Sequence, residues 1–175
     1  MPAIGMHCFT TVYSRISNVL INDVLISEAF NPASERISSK ESQAKKYKAI
    51  WDTGATDTVI TKKVVEECAL KPVGVTQVQT ASGESKTNVY LVNVWLPNKV
   101  VVANVNASLG ELAGEVEVLI GMNIINKGDF AVTNRDGKTV FSFRLPSVEC
   151  IDFVKNPFKP KPTLGIPQGK KFRRR

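Results

Sequence analysis

The sequence predicts a small, mostly β barrel or sandwich carrying two short helices, and three observations lead there. Runs of β-branched and aromatic residues recur at close spacing with turn residues between them. Two stretches alone, "KKVVEECAL" and "MNIINKG", have room for helical turns. The 175 residues, 43% apolar and 22% charged, suffice for one core, so a single folded domain is expected.

Taken in order, "TVYSRISNVLINDVLISEAF" alternates apolar and polar residues and reads as two strands around an Asn22-Asp23 turn. "NPASERISSKESQAKK" has no apolar period and is expected to be an exposed loop. "YKAIW" is a strand ending in the Asp-Thr-Gly turn, and "DTVIT" continues extended beyond it. Thr61 is placed to cap a helix over "KKVVEECAL", which Pro72 ends. From Val73 to Val105 the texture is β throughout: "VTQVQT", the turn "ASGE", "TNVYLVNVWL", the turn "PNK" and "VVVANV". Glu111 to Gly114 is a loop and "EVEVLIG" a strand ending on Gly121. "MNIINKG" makes two helical turns stopped by Gly128, and "DFAVTN-RDG-KTVFSFR" is a hairpin around Asp136-Gly137.

The formal charge of +7 is not spread over the chain. Residues 1–155 hold 16 basic and 16 acidic side chains, whereas residues 156–175 hold seven cations and no acid. The expected organisation is therefore residues 1–45 as N-terminal strands and loop, 46–146 as the main domain, and 147–175 as a Pro/Lys/Arg-rich, disordered basic tail. The seven cations suit weak, salt-sensitive nucleic-acid contact, and equally a solvated end without a partner. Cys8, Cys68 and Cys150 lack any C-x-x-C spacing, which argues against a disulfide framework or zinc and for a reducing, cytoplasmic setting. No membrane span and no signal peptide are read. His7 is the single histidine, so histidine triads and multi-histidine metal sites are excluded. Acid-base chemistry must run on carboxylates, with no cofactor and no metal. Trp51 and Trp95 read as core or cleft wall, and Glu66, Glu67, Glu115 and Glu117 as solvated faces.

The chemistry concentrates in "WDTGATDTVI", residues 51 to 60. A strand that stops on Asp52, followed by a small hydroxyl residue and a glycine, pushes an acid into a cleft. Thr53 can hydrogen-bond where water is scarce, and Gly54 lets another backbone come close because it has no side chain. "DTGATDTVI" resembles the active-site loop of retropepsin-like aspartic peptidases. "VLIGMNIINKGDF", residues 118 to 130, resembles the second half of that fold, an apolar strand end running through Gly-x-Asn into a short helix. Between them lies "TASGES", where such folds carry a flap hairpin.

The resemblance covers Tyr47 to Arg144 and implies a closed retropepsin-like barrel, assembled as a two-fold symmetric homodimer because one chain carries one Asp-Thr-Gly turn. It implies an endopeptidase acting on peptide or protein substrates, with Asp52 of each chain as the catalytic acid and Thr53 and Gly54 as its supports. Ala55, Thr56 and Asp57 would line the cleft, and Ser82 and Gly83 the flap tip. Retroviral members often pair an acid at the position of Thr56 with an arginine at that of Met122. Both are absent here, which leaves dimer stabilisation to other contacts and groups the chain with cellular, bacterial members. The competing expectation is a catalytically silent dimer that binds extended peptides.

Overall fold

A computed structural model describes residues 7–30, 43–80 and 83–155. Its elements are β1 (His7–Val12), β2 (Leu20–Glu28), β3 (Lys45–Trp51), β4 (Thr58–Ile60), α1 (Lys62–Glu67), β5 (Pro72–Thr80), β6 (Gly83–Trp95), β7 (Val101–Leu109), β8 (Val118–Ile120), α2 (Met122–Ile125), β9 (Asp129–Thr133) and β10 (Val140–Leu145).

Six strands close a barrel in the order β2-β3-β8-β4-β7-β6, and β2 returns to β6 through Leu25↔Trp95 to Glu28↔Val92. The period-two patterns explain which faces turn inward. Tyr47, Ala49 and Trp51 of β3, Val24 and Ile26 of β2, and Val118 and Ile120 of β8 are all buried, with polar or half-exposed neighbours between them. Closing so small a barrel requires a sharp bend, and β6 supplies one as a register shift between Val92 and Val94. The residue there, Asn93, is fully buried yet satisfied: its Oδ1 accepts from the Asn104 N–H at 2.8 Å and its Nδ2 donates to the Phe30 carbonyl at 3.1 Å.

Beyond β6 lies β5, paired among the described residues with β6 alone, so the two form a ribbon extending from the barrel. Its exposed Val73 and Val75 mark it as lying outside the core.

A second sheet, β1-β10-β9, packs on the barrel through aromatic rings. Trp51 is the hub, with ring centroids of Phe143 at 4.9 Å, Phe141 at 5.1 Å, Phe9 at 5.9 Å and Phe130 at 6.1 Å. Offset and edge contacts of this kind add to the gain from burying each ring. The Trp51 indole N–H also donates to Asn22 Oδ1 at 3.1 Å.

Several local expectations change. Asn22 and Asp23 make no turn: they lie inside β2, paired with Ala49 and Lys48 of β3, and the bend falls at residues 13–19 instead. Tyr13 stabilises that bend, its hydroxyl donating to the Ile21 carbonyl at 2.9 Å. Thr61 occupies the N-cap of α1 without capping it; its hydroxyl donates to Glu117 instead. Both helices are single short stretches, α1 ending at Glu67 rather than running to Leu70 and α2 ending at Ile125. Glu117 is no solvated face, being 18% exposed and bonded to Thr61 and to Lys63 at 3.1 Å, partners that hold its carboxyl below the usual range. The exposed loop expected over 31–46 is cut short by β3, which begins at Lys45, and residues 31–42, like the basic segment 156–175, lie outside the described residues. Among the described residues no helix is long and apolar enough to cross a membrane.

One carboxylate ties the second sheet to the chain that leaves it. Asp129 accepts from Ser147 Oγ at 2.5 Å, from the N–H groups of Val148 at 3.0 Å and Glu149 at 3.3 Å, and from Arg144 Nε at 2.6 Å. The Ser147 hydroxyl first, then these amides and the guanidinium, hold its carboxyl well below the usual range. A depressed folded-state pKa stabilises the fold above the unfolded value, near 4, and that contribution is lost as pH falls from there towards the folded value. Asp129→Asn should therefore unfold at a lower temperature than the wild type at pH 7, with the gap narrowing below about pH 4. Thermal unfolding followed by circular dichroism across that range checks it. A gap independent of pH would show that the charge of Asp129 contributes nothing.

Candidate active site

Trp51 ends β3 in the core and the next residue leaves it. The Asp52 N–H donates to the Ile120 carbonyl at 3.0 Å, so the acid's backbone is the last rung between β3 and β8. The chain then turns: the Ala55 N–H reaches back to the Asp52 carbonyl at 3.3 Å, and the Gly54 N–H donates to Asp52 Oδ1 at 2.8 Å. That bond orients the carboxylate and leaves Oδ2 without a bond among the described residues. A Cβ on Gly54 would stand 3.1 Å from Oδ1, closer than side chains ordinarily approach.

The far side of the turn is clamped by the second motif. Met122 N–H donates to the Ala55 carbonyl at 2.8 Å and Asn123 N–H to the Thr56 carbonyl at 3.0 Å. The intervening Gly121 lies so close to this loop that a Cβ would meet the Asp57 carbonyl oxygen at 2.4 Å. Below the clamp, buried Thr58 donates its hydroxyl to Asn123 Oδ1 at 2.8 Å, and Asn123 Nδ2 donates to the Asn106 carbonyl at 2.9 Å. From Thr58 the chain enters β4, antiparallel to β8 and parallel to β7.

The expected site residues thus fall into two groups. Asp52, Thr53, Gly54, Ala55, Thr56 and Asp57 form one turn, with Thr53, Gly54, Thr56 and Asp57 exposed and Asp52 and Ala55 half-buried. Asp52 and Thr53 border an open depression of about 370 Å³ shared with Val19, Leu20, Phe130 and Val132. Gly83 stands apart, paired with Thr80 at the end of the β5–β6 ribbon, and Ser82 lies outside the described residues. A larger groove, about 900 Å³, runs between Thr61–Lys63, Ser85–Thr87 and Leu109–Leu112 and excludes Asp52. Among the described residues Asp52 is the sole titratable group lining its own depression. Among the described residues no cluster of three His, Cys, Asp or Glu side chains is arranged to hold a metal.

Thr58, Gly121 and Asn123 were missing from the expected site. The Gly-x-Asn spacing at 121–123 was the available signal for two of them, but it spoke for the fold and not for contact with the Asp52 turn.

Residues 41–127 match the family model described as gag-polyprotein putative aspartyl protease. The chain belongs to the retropepsin-like aspartic protease family. A retropepsin-like aspartic protease from Rickettsia conorii, known from its crystal structure, superposes with a TM-score of 0.52 at 16% identity, covering 81% of this chain and 96% of that one. The protease of Simian Foamy Virus (mac), known from a solution structure, aligns at 23% identity and a TM-score of 0.35, over 44% of this chain and 77% of that one. No curated protein sequence matches the chain. Membership of this family accords with the closed barrel, the two short helices and the Asp52 turn braced by the Gly121 crossing.

Because the clamp leaves no volume at position 121, Gly121→Ala should cost at least about 2 kcal/mol in denaturant unfolding. Its damage should centre on the turn, weakening amide protection at Asp52 and Ala55 in hydrogen exchange more than at Val92 or Val105. Unchanged stability would contradict the close approach.

Proposed function

We propose that the protein is an aspartic endopeptidase whose water-activating group is a pair of Asp52 carboxylates, one from each subunit of a homodimer. The observation that supports this most is the Asp52–Gly54 turn, half-buried at Asp52 and exposed at Thr53 and Gly54, in which Oδ1 accepts from the Gly54 amide and Oδ2 has no bond among the described residues. One such turn is half of a two-carboxylate site, and two-fold symmetry supplies the other half.

Two carboxylates within hydrogen-bond reach do not both ionise cheaply and share one proton, as aspartic-protease dyads do. The ionised Asp52 takes a proton from a bound water, which attacks the scissile carbonyl carbon. The protonated partner donates a hydrogen bond to the carbonyl oxygen as negative charge develops there. The tetrahedral species then collapses, the C–N bond breaks, and the amine leaves with a proton from the dyad. Thr53 steadies the paired turns, and Ala55, Thr56 and Asp57 line the cleft where an extended peptide lies. Gly83, at the end of the β5–β6 ribbon, covers that peptide and excludes water.

Asp52→Asn keeps the shape of the side chain and removes the proton chemistry. Peptide-library digestion should show hydrolysis reduced at least about 10³-fold, with circular dichroism and thermal unfolding unchanged. Equal cleavage by both proteins would overturn the reading. Peptide binding with cleavage by neither would favour a silent binding module.

A further inference from the structure

The larger groove, which excludes Asp52, opens where two strands part. β6 and β7 are paired as far as Val89↔Ser108. Just past that rung the Leu109 carbonyl accepts the Thr87 hydroxyl at 2.8 Å, and the Gly110 N–H turns aside to the Ile60 carbonyl at 3.0 Å. β7 thus ends beside β4, whereas residues 83–88 of β6 belong to the ribbon. They pair with β5 on one side and, among the described residues, with no strand on the other. Ser85, Lys86 and Thr87 of that edge line the groove, with residues 61–63 and 109–112 around the rest of it. Main-chain groups on an unpaired edge can accept an added strand. The three residues of β4, about 10 Å of extended chain, lead from the Asp52 loop to Thr61. The groove is therefore near the candidate site but shares no lining residue with its depression.

Its charge is one-sided. Lys62, Lys63 and Lys86 line it against a single acid, Glu111. Lys63 is bonded to Glu117 at 3.1 Å, and Lys62 stands 3.5 Å from Glu66 in a pair open to water, an arrangement that contributes little. Lys86 is exposed on the ribbon and has no charged partner among the described residues. Cations of the α1 side and of the ribbon thus border one space of about 900 Å³, and the half-buried Leu109 and Leu112 add an apolar surface to it.

We propose that this groove is a docking site for an acidic, extended segment of a protein substrate. Its aspartate or glutamate side chains meet Lys62 and Lys86, an apolar side chain between them rests on Leu109 and Leu112, and its backbone lies along the free edge of β6. That the segment belongs to a substrate rests on the peptidase reading; the edge, the lysines and the leucines do not depend on it. Three features select an acidic peptide. The lysines call for anions, the leucines for an apolar group that an inorganic anion lacks, and the edge for a main chain with its own N–H and C=O groups. Docking here ties the ribbon to the start of α1, so it raises affinity for a substrate without touching the acid that cleaves it.

Fluorescence anisotropy on the full chain, read without hydrolysis, tests the site. The probe is a labelled synthetic peptide with one leucine set between acidic residues, compared with the same peptide carrying serine for leucine. Lys86→Glu, and independently Lys62→Glu, should weaken binding of the leucine peptide at least about 10-fold. The serine peptide should bind the wild type at least about 5-fold more weakly. Both lysines are exposed, so circular dichroism and melting temperature should remain those of the wild type. The basic segment 156–175 is common to all variants and does not distinguish them. In hydrogen exchange the leucine peptide should slow the amides of Ser85, Lys86 and Thr87 and of Glu111 and Leu112. Equal affinity in the wild type and both lysine variants, equal binding of the two peptides, or no protection at these amides would overturn the assignment. Stronger protection of the same amides by a short oligothymidylate would give the groove to nucleic acid and overturn it too. Cleavage separates the two readings. If an acidic extension lowers the KM of a cleaved peptide, and Lys86→Glu removes that gain with kcat unchanged, both stand. If the peptide docks and none is cleaved, the groove stands and the peptidase reading fails; if peptides are cleaved and none docks, the groove alone fails.

Discussion

Where β8 runs into α2, the backbone of Gly121 approaches the Asp57 carbonyl so closely that a methyl group would sit 2.4 Å from its oxygen. That approach lets two consecutive amides, Met122 and Asn123, bond the carbonyls of Ala55 and Thr56. The loop after Asp52 is thereby held by backbone, while Thr53, Gly54, Thr56 and Asp57 remain exposed. A surface turn of small residues would otherwise sample many conformations, each ordered residue costing about 1–2 kcal/mol of backbone entropy. Backbone clamping fixes the acid's loop through the Met122 and Asn123 amides.

The same acid is coupled to the second sheet through its neighbour. Trp51 is buried among Phe9, Phe130, Phe141 and Phe143, and Asp52 follows it directly. β9 cannot shift without moving rings packed on Trp51, and a shift of Trp51 moves the carboxylate. The Asp129 network works at the other end of β9, binding the exit segment 147–149 to the strand's first residue.

Much of this was legible in residue order where local chemistry decides the outcome. The Asp136-Gly137 hairpin, the strand–turn–strand around Asp52 and the glycine-terminated β8 all carry their own signals, since glycine and alternating apolar residues act over a few positions. Illegible features are those decided by distant partners. Asn22-Asp23 has turn chemistry, yet seven rungs to β3 and the Asn22–Trp51 bond hold it extended. Thr61 has capping chemistry, yet Glu117, 56 residues on, takes its hydroxyl. Asn93 looks like a turn residue inside β6 and is instead a buried bulge satisfied by Asn104 and Phe30. The apolar patch of Val19, Phe130 and Val132 is assembled from β9 and the approach to β2, and no window of sequence contains it.

The central claim is that one working site is shared by two chains, and a mixing measurement tests it most directly. Wild-type chain at a fixed concentration is equilibrated with increasing amounts of Asp52→Asn chain, and peptide hydrolysis is followed with substrate in excess. If the site is shared, random re-pairing places most wild-type chains opposite an inactive partner, and a tenfold excess should lower activity to about a tenth. Activity that does not change, however much of the Asp52→Asn chain is added, would show that a single chain carries a complete site.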